Sequence, residues 1–263
     1  MLELDQVSVT YHPGTPGEVR ALRDVCLRAP SGQFVTVVGA NGSGKSTLVG
    51  VLAGAVAPCA GRVRIDGADV TGEAVHRRAA RVARVFDDPR AGSAPELSVE
   101  ENLALAMARG RRRGVRRAVT DRRRHRMRDA LAVLGLGLED RLDQPVGLLS
   151  AGQRQSLTMV MATLRHPSVL LLDEHLAALD PATARRVLLL TTDLAREAGS
   201  TTVMVTHDMH AALTTGDRLV VVRAGRIGAD LSGSELARLD AATLTELLHD
   251  PGPGPTERRR VAS

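Results

Sequence analysis

Aromatic side chains are nearly missing from this chain, which has one Tyr, two Phe and no Trp among 263 residues. Single-stranded nucleic acid is bound on aromatic platforms flanked by cations, and so few rings do not build one. Cysteine is equally scarce. Cys26 and Cys59 stand alone, without a CxxC pair or neighbouring His ligands, which argues against a disulfide or thiolate metal site and leaves two reduced structural thiols as the expectation. No apolar run approaches the roughly 18 to 20 residues that a membrane-spanning helix needs. The N-terminus, MLELDQVSVTYHP, has no basic stretch followed by an apolar one, so it does not read as a secretion signal and a cytoplasmic location is expected.

Lysine is the most informative scarcity. Lys45 is the single lysine among 35 Lys+Arg residues. It lies in GANGSGKST, Gly39 to Thr47, which fits the phosphate-loop pattern GxxxxGK[ST]. A compact ammonium fits between β- and γ-phosphate oxygens, whereas a broad planar guanidinium would crowd the loop. Backbone N–H groups of Asn41, Gly42, Ser43, Gly44, Lys45 and Ser46 are expected to form an anion nest at a helix N-terminus, with the Ser46 hydroxyl on Mg²⁺.

The near-total use of arginine elsewhere reads as a compositional bias, so the net charge of +5 carries little functional weight. Eleven arginines nonetheless fall between Arg109 and Arg128. This stretch reads as a solvated or permease-facing surface, as a contact for anionic lipid head groups, or as a nucleic-acid contact, with no nucleic acid expected because rings are absent from it. Arg258 to Arg260 follow a PGPGP segment that reads as a frayed tail, residues 249–263.

Residues 2–10 and 19–28 read as strands, and FVTVVG, Phe34 to Gly39, is a β-branched run suited to a buried parallel strand. A helix over 45–56 follows the glycine-rich loop directly, the order that a phosphate loop requires. A short strand at 62–66 and a helix at 74–82 come next. Ser98 with Glu101 forms a capping box for a helix reaching Met107, another helix runs from Thr120 or Asp121 to Leu134, and LLSAGQRQ opens one that ends near Arg165. SVLLLD and TTVMVTH are two further buried strands. Alternating strands and helices predict a mainly parallel sheet wrapped by helices, interrupted by a helical segment over about 90–163. VLLLDE places Asp173 and Glu174 at the carboxyl end of a buried strand, where open α/β sheets bind ligands. Asp173 suits Mg²⁺, and Glu174 suits polarisation of the water that attacks a γ-phosphate.

Together these motifs resemble the nucleotide-binding subunit of an ATP-binding cassette transporter, over residues 1 to about 248. LSAGQ, Leu149 to Gln153, resembles the family signature LSGGQ, and ALD at 178–180 resembles its D-loop. The resemblance implies an α/β P-loop NTPase of RecA-like type, with a mainly parallel sheet, an N-terminal antiparallel β subdomain and an inserted α-helical subdomain. It implies ATP and Mg²⁺ as ligands, Tyr11 against the adenine ring, Gly39 through Thr47 around the phosphates, and His207 as a switch histidine on the γ-phosphate. It also implies that Ser150, Ala151, Gly152, Gln153 and Asp180 act across a head-to-tail sandwich of two copies. Further implied partners are a transmembrane permease and, through it, an extracytoplasmic binding protein, with the chain held at the inner face of the membrane.

AGSAPELSVEENLALAMARGRRRG and LLLDEHLAALDP resemble a poorly characterised branch of bacterial importers whose relatives include uptake systems for tryptophan and similar amino acids. Soluble cassette proteins of translation carry two cassettes and those of repair a long coiled-coil insertion; this sequence has neither. Two positions depart from the family pattern. Ala151 replaces a glycine, tolerable unless φ is positive there. Asp87, in VFDDP, stands where the family has a Gln that contacts Mg²⁺. Its added carboxylate is expected to slow or re-gate hydrolysis, or even to leave a regulatory subunit with weak ATPase activity.

Overall fold

The computed structural model describes residues 1–110 and 119–249. The tail from 250 onward and part of the arginine stretch, 111–118, lie outside the described residues. The chain divides into two compact units, one formed by 1–78 with 201 onward, the other by 79–200.

The first unit begins with β1 (Leu2–Tyr11), β2 (Val19–Ala29), β3 (Phe34–Val38), α1 (Lys45–Ala53), β4 (Ala60–Ile65), β5 (Ala68–Asp69) and the single-turn α2 (Val75–Arg78). The second unit carries β6 (Val82–Val85), α3 (Val99–Ala108), α4 (Asp121–Ala132), α5 (Ala151–Thr163), β7 (Val169–Asp173) and α6 (Pro181–Glu197). The chain then returns to the first unit with β8 (Thr201–Val205), α7 (Met209–Thr215), β9 (Arg218–Arg223), β10 (Arg226–Ser232), α8 (Gly233–Ala237) and α9 (Ala241–His249).

In the first unit β1 pairs antiparallel with β2 and β4, and β4 with β5. That is the N-terminal antiparallel sheet implied by the family resemblance. β3 runs parallel to both β8 and β9, and β9 pairs antiparallel with β10. All five residues of β3 and of β8 are buried, as continuous β-branched runs covered on both faces should be. Val38, Leu219 and Val221 of this sheet pack with Ala212 of α7 and Leu244 of α9. In the second unit β6 and β7 are parallel neighbours, and Leu103, Met127, Leu131, Leu157 and Met159 fill its interior. The predicted α/β class holds. The helical segment expected over 90–163 falls inside this second unit.

Two helices, α1 and α2, stop well short of the bounds the sequence patterning suggested, and α4 ends at Ala132 rather than Leu134. α1 stops at Ala53 rather than 56 because Gly54 turns left-handed at φ 78° and its N–H returns to the carbonyls of Gly50 and Val51. Arg78 caps the same end: its guanidinium donates to Val51 Oin a 2.6 Å bond and also to Val70 O. Turning Arg78 inward ends α2 at that residue, and 79–81 lead into β6 instead of continuing a helix to 82. Burial lowers the Arg78 pKa, and the charges of Glu73 and Asp69 offset only part of that effect.

Among the described residues of the arginine stretch, several are structural. Arg109 donates to Ala162 O at 2.8 Å and Arg124 pairs with Glu100 and Asp143, whereas Arg122, Arg126 and Arg128 are exposed. The two cysteines are free thiols. No helix among the described residues is long and apolar enough to cross a membrane.

Candidate active site

The predicted site residues divide between the two units. In the first, β3 delivers the chain into the loop 39–44, and α1 leaves it. Gly39 is required by close approach: a Cβ there would sit 2.3 Å from Val222 O and 2.6 Å from Ser43 Oγ. Gly44 adopts φ 111°, a conformation that L side chains rarely reach, and a Cβ would lie 2.5 Å from Ala21 O. The loop is thereby clamped against β9 and β2, with Gly225 N–H donating to Ser43 O. The Lys45 ammonium donates to Gly39 O at 2.7 Å and Ala40 O at 3.0 Å, so it lies within the cradle rather than in solvent. Asn41 and Gly42 form the turn of the loop, and Ser46 lies in the first turn of α1. The expected nest is modified at one position, because Ser43 N–H is taken by Ala40 O at 3.1 Å.

Tyr11 ends β1 beside the first turn of α1. Its hydroxyl lies 3.4 Å from Thr47 Oγ1, and the side chain is 38% exposed, so its ring is presented at the phosphate loop. His207 follows β8, whose parallel pairing with β3 (Val37 opposite Val205) brings it to the same sheet end as the loop. It is exposed, and the neighbouring Asp208 caps α7 by accepting from His210 and Ala211 N–H.

In the second unit the parallel pairing of Val85 with Leu172 brings Asp173, the last residue of β7, Glu174 just after it and Asp87 beyond β6 to the same ends of the two strands. Asp87 is exposed. Glu174 takes φ 47°, a left-handed conformation costing a non-glycine residue about 1 kcal/mol or more, and such strain collects at functional sites. The turn closes with Ala177 N–H on Glu174 O. His175, next along, is 2% exposed and shares a 3.3 Å hydrogen bond with Thr191 Oγ1 of α6. It pins the strained turn to that helix.

Burial lowers the His175 pKa to about 3, so the folded chain keeps it neutral while the unfolded chain protonates near 6.5. Stability is therefore lost as pH falls below 6.5 toward 3, by about 1.4 kcal/mol per pH unit from this group at most. Denaturant titration at pH 7 and pH 5 is expected to show a smaller loss for His175→Gln than for the wild type, by about 2 kcal/mol or less. An equal loss would contradict the assignment.

Ser150 and Gln153 form a reciprocal capping box at the start of α5: Ser150 Oγ accepts Gln153 N–H at 3.2 Å, and Gln153 Oε1 accepts Ser150 N–H at 3.1 Å. The Ser150 hydroxyl proton remains available to a ligand. Ala151 opens the helix and is not among the positive-φ residues, so the alanine is tolerated. Gly152 lies close against Thr183: a Cβ would meet Thr183 Cγ2 at 2.5 Å, so the threonine side chain would have to turn aside. Asp180 caps α6, accepting Ala182 and Thr183 N–H at 3.1 Å each, and its bonds to Thr183 lower its pKa. The signature turn and the D-loop thus meet through Thr183.

Sequence reasoning missed Arg84, Phe86, Gln155 and His175. The signal for the first was an arginine in an otherwise apolar strand, and for the last a histidine in an apolar run beside two carboxylates.

A phosphate loop on a parallel sheet, with acids at strand ends, defines a P-loop nucleotide-binding protein. A family model described as ABC transporter matches residues 22–177. The chain is 36% identical over 247 residues to the tyrosine transport ATP-binding protein of Clostridioides difficile, covering 94% of this chain and 98% of that one. It is also 36% identical over 242 residues to an aliphatic sulfonates import ATP-binding protein of Mesorhizobium japonicum, covering 88% and 84%. A solved dimeric ATP-binding cassette in a post-hydrolysis state, bound to ADP and phosphate, aligns with TM-score 0.73 and 29% identity over 88% of this chain and 98% of its own. The chain belongs to the ABC transporter family, as an ATP-binding cassette that hydrolyses ATP.

Proposed function

We propose that this protein energises import of a small solute, an amino acid by class, through a separate transmembrane permease fed by an extracytoplasmic binding protein. The observation that carries the reading is the nearly end-to-end similarity to the tyrosine transport relative, 94% of one chain against 98% of the other. In this reading the protein lies in the cytoplasm at the inner face of the membrane, and two copies close head to tail on two ATP molecules.

Tyr11 stacks on adenine, the loop from Gly39 to Thr47 wraps the phosphates, and Lys45 exchanges its carbonyl partners for β- and γ-phosphate oxygens. The donor set suits Mg²⁺, which keeps several waters and needs one or two carboxylates besides phosphate oxygens. Asp173 and the Ser46 hydroxyl would supply ligands of that set, with Asp87 a third candidate, and among the described residues no group of three or more His, Cys, Asp or Glu could hold the ion without the phosphates. When bound, the metal neutralises charge on the phosphates. Glu174 takes a proton from the attacking water as its oxygen bonds to the γ-phosphorus and the bond to the bridging oxygen of ADP breaks. His207 contacts the γ-phosphate, while Ser150 and Gly152 of a second copy complete the site. Asp180 lies at the junction of the copies. Loss of γ-phosphate contacts then opens the pair, and that opening drives the permease.

Reconstitution with an adjacently encoded permease tests this: ATP-dependent amino-acid uptake is expected, and ATP turnover that no permease or solute stimulates would overturn it. Asp87 tunes the rate. Asp87→Gln is expected to raise turnover about fivefold, the effect of removing ~1 kcal/mol of like-charge repulsion near the phosphate. Steady-state phosphate release from both proteins measures it, and equal rates with equal coupling would refute it.

A further inference from the structure

We infer that Arg84 is a positioning residue for Asp173, the resident counter-cation of that carboxylate, and that it competes with the metal ion Asp173 would otherwise take up without nucleotide. The inference rests on the proposed role of Asp173 as a metal ligand. Arg84 lies opposite Leu171 in the parallel pairing of β6 and β7. From there its Nη2 reaches Oδ2 of Asp173, two residues further along, at 2.6 Å. This is not a mobile surface pair, since the side chains are 27% and 15% exposed.

The arginine is held from beneath. Its guanidinium carbon lies 4.5 Å from the ring centroid of Phe86, one of three aromatic residues in the chain, and such a stack fixes both position and charge. Phe86 is fixed in turn, because its carbonyl accepts from Gln155 Nε2 at 3.3 Å, and Gln155 is fully buried on α5. A chain of contacts thus runs from the signature helix through Gln155, Phe86 and Arg84 to Asp173. Nε of Arg84 is buried without a hydrogen-bond partner, so the pairing is one-sided and engages a single carboxylate oxygen. The other oxygen is left for a metal, under the opposing field of a fixed cation.

Asp173 ends β7 and Glu174 follows it, while Asp87 and Asp88 follow β6; among the described residues no three His, Cys, Asp or Glu side chains are grouped to hold a metal ion by themselves. Arg84 offsets one of the charges, so metal uptake depends on the phosphates that arrive with the nucleotide.

The test is a Mn²⁺ titration of the full-length, nucleotide-free protein, followed by the electron paramagnetic resonance of free Mn²⁺. Arg84→Met is expected to bind Mn²⁺ about tenfold more tightly than wild type, the scale of one unit charge removed from a partly solvated site. Arg84→Gln should match it, and serves if the methionine variant does not fold. Arg84→Lys, which keeps the charge, should stay within about twofold of wild type if charge rather than shape is the cause. Unchanged or weaker binding in both neutral variants, or a lysine variant as tight as they are, would overturn the inference. Asp173→Asn separates it from its premise. If that variant weakens Mn²⁺ binding while the neutral Arg84 variants change nothing, only the counter-cation role fails; if it leaves Mn²⁺ binding intact, the metal-ligand role fails as well.

Discussion

Lys45→Arg is expected to lower ATP turnover at least about a hundredfold, the scale of losing one preorganised cation at a developing phosphate charge, although arginine fills every other cationic position of the chain. The reason lies in the loop. The Lys45 ammonium is held between two carbonyls at 2.7 and 3.0 Å, a space suited to a small tetrahedral donor. The loop cannot widen to take a planar fork, because Gly39 already lies against Val222 O and Gly44 against Ala21 O. A guanidinium must either leave the cradle or push the phosphates out of it. Phosphate release should fall together with binding of a fluorescent ATP analogue, while the melting temperature stays near wild type. Turnover within tenfold of wild type would contradict the cradle.

Glu174→Gln is expected to separate binding from hydrolysis. The substitution keeps shape and the backbone at φ 47°, and His175 still anchors the turn to Thr191, so the fold should be unaffected. What disappears is the base: turnover should drop about 10² to 10⁴-fold, the span for removing a general base. With the γ-phosphate retained, the ATP-bound pair of copies should accumulate and elute as a dimer in size-exclusion chromatography with ATP and Mg²⁺. A monomer under those conditions would contradict the sandwich, and undiminished turnover would contradict the role of Glu174.

Much of the site was legible because its parts are contiguous. Strand, loop and helix around Lys45 occupy one stretch from Phe34 to Ala53, and the glycines there are dictated by local φ and by close backbone approach. The capping box of Ser98 and Glu101 is likewise an interaction over three residues, and it forms as expected. Boundaries were less legible. Gly54 ends α1 earlier than the apolar pattern implied, and Arg78 is drawn away from a continuing helix by carbonyls at the end of α1, which are remote in sequence. The start of α6 is a local signal as well, since Asp180 followed by Pro181 is a cap and first-turn signature.

By itself, then, the amino-acid sequence determined the α/β class, the phosphate loop and the identity of the residues able to handle a nucleotide, since each depends on periodicity or on neighbours within a few positions. Tertiary structure alone decided how those residues are held. Arg84 meets Asp173 across 89 positions and Gln155 meets Phe86 across 69, while His175 reaches Thr191 on the following helix and Gly152 packs closely on Thr183. Each of those pairings exists only once strands and helices pack, because a side chain's partner is set by which surfaces are buried together and not by its place along the chain.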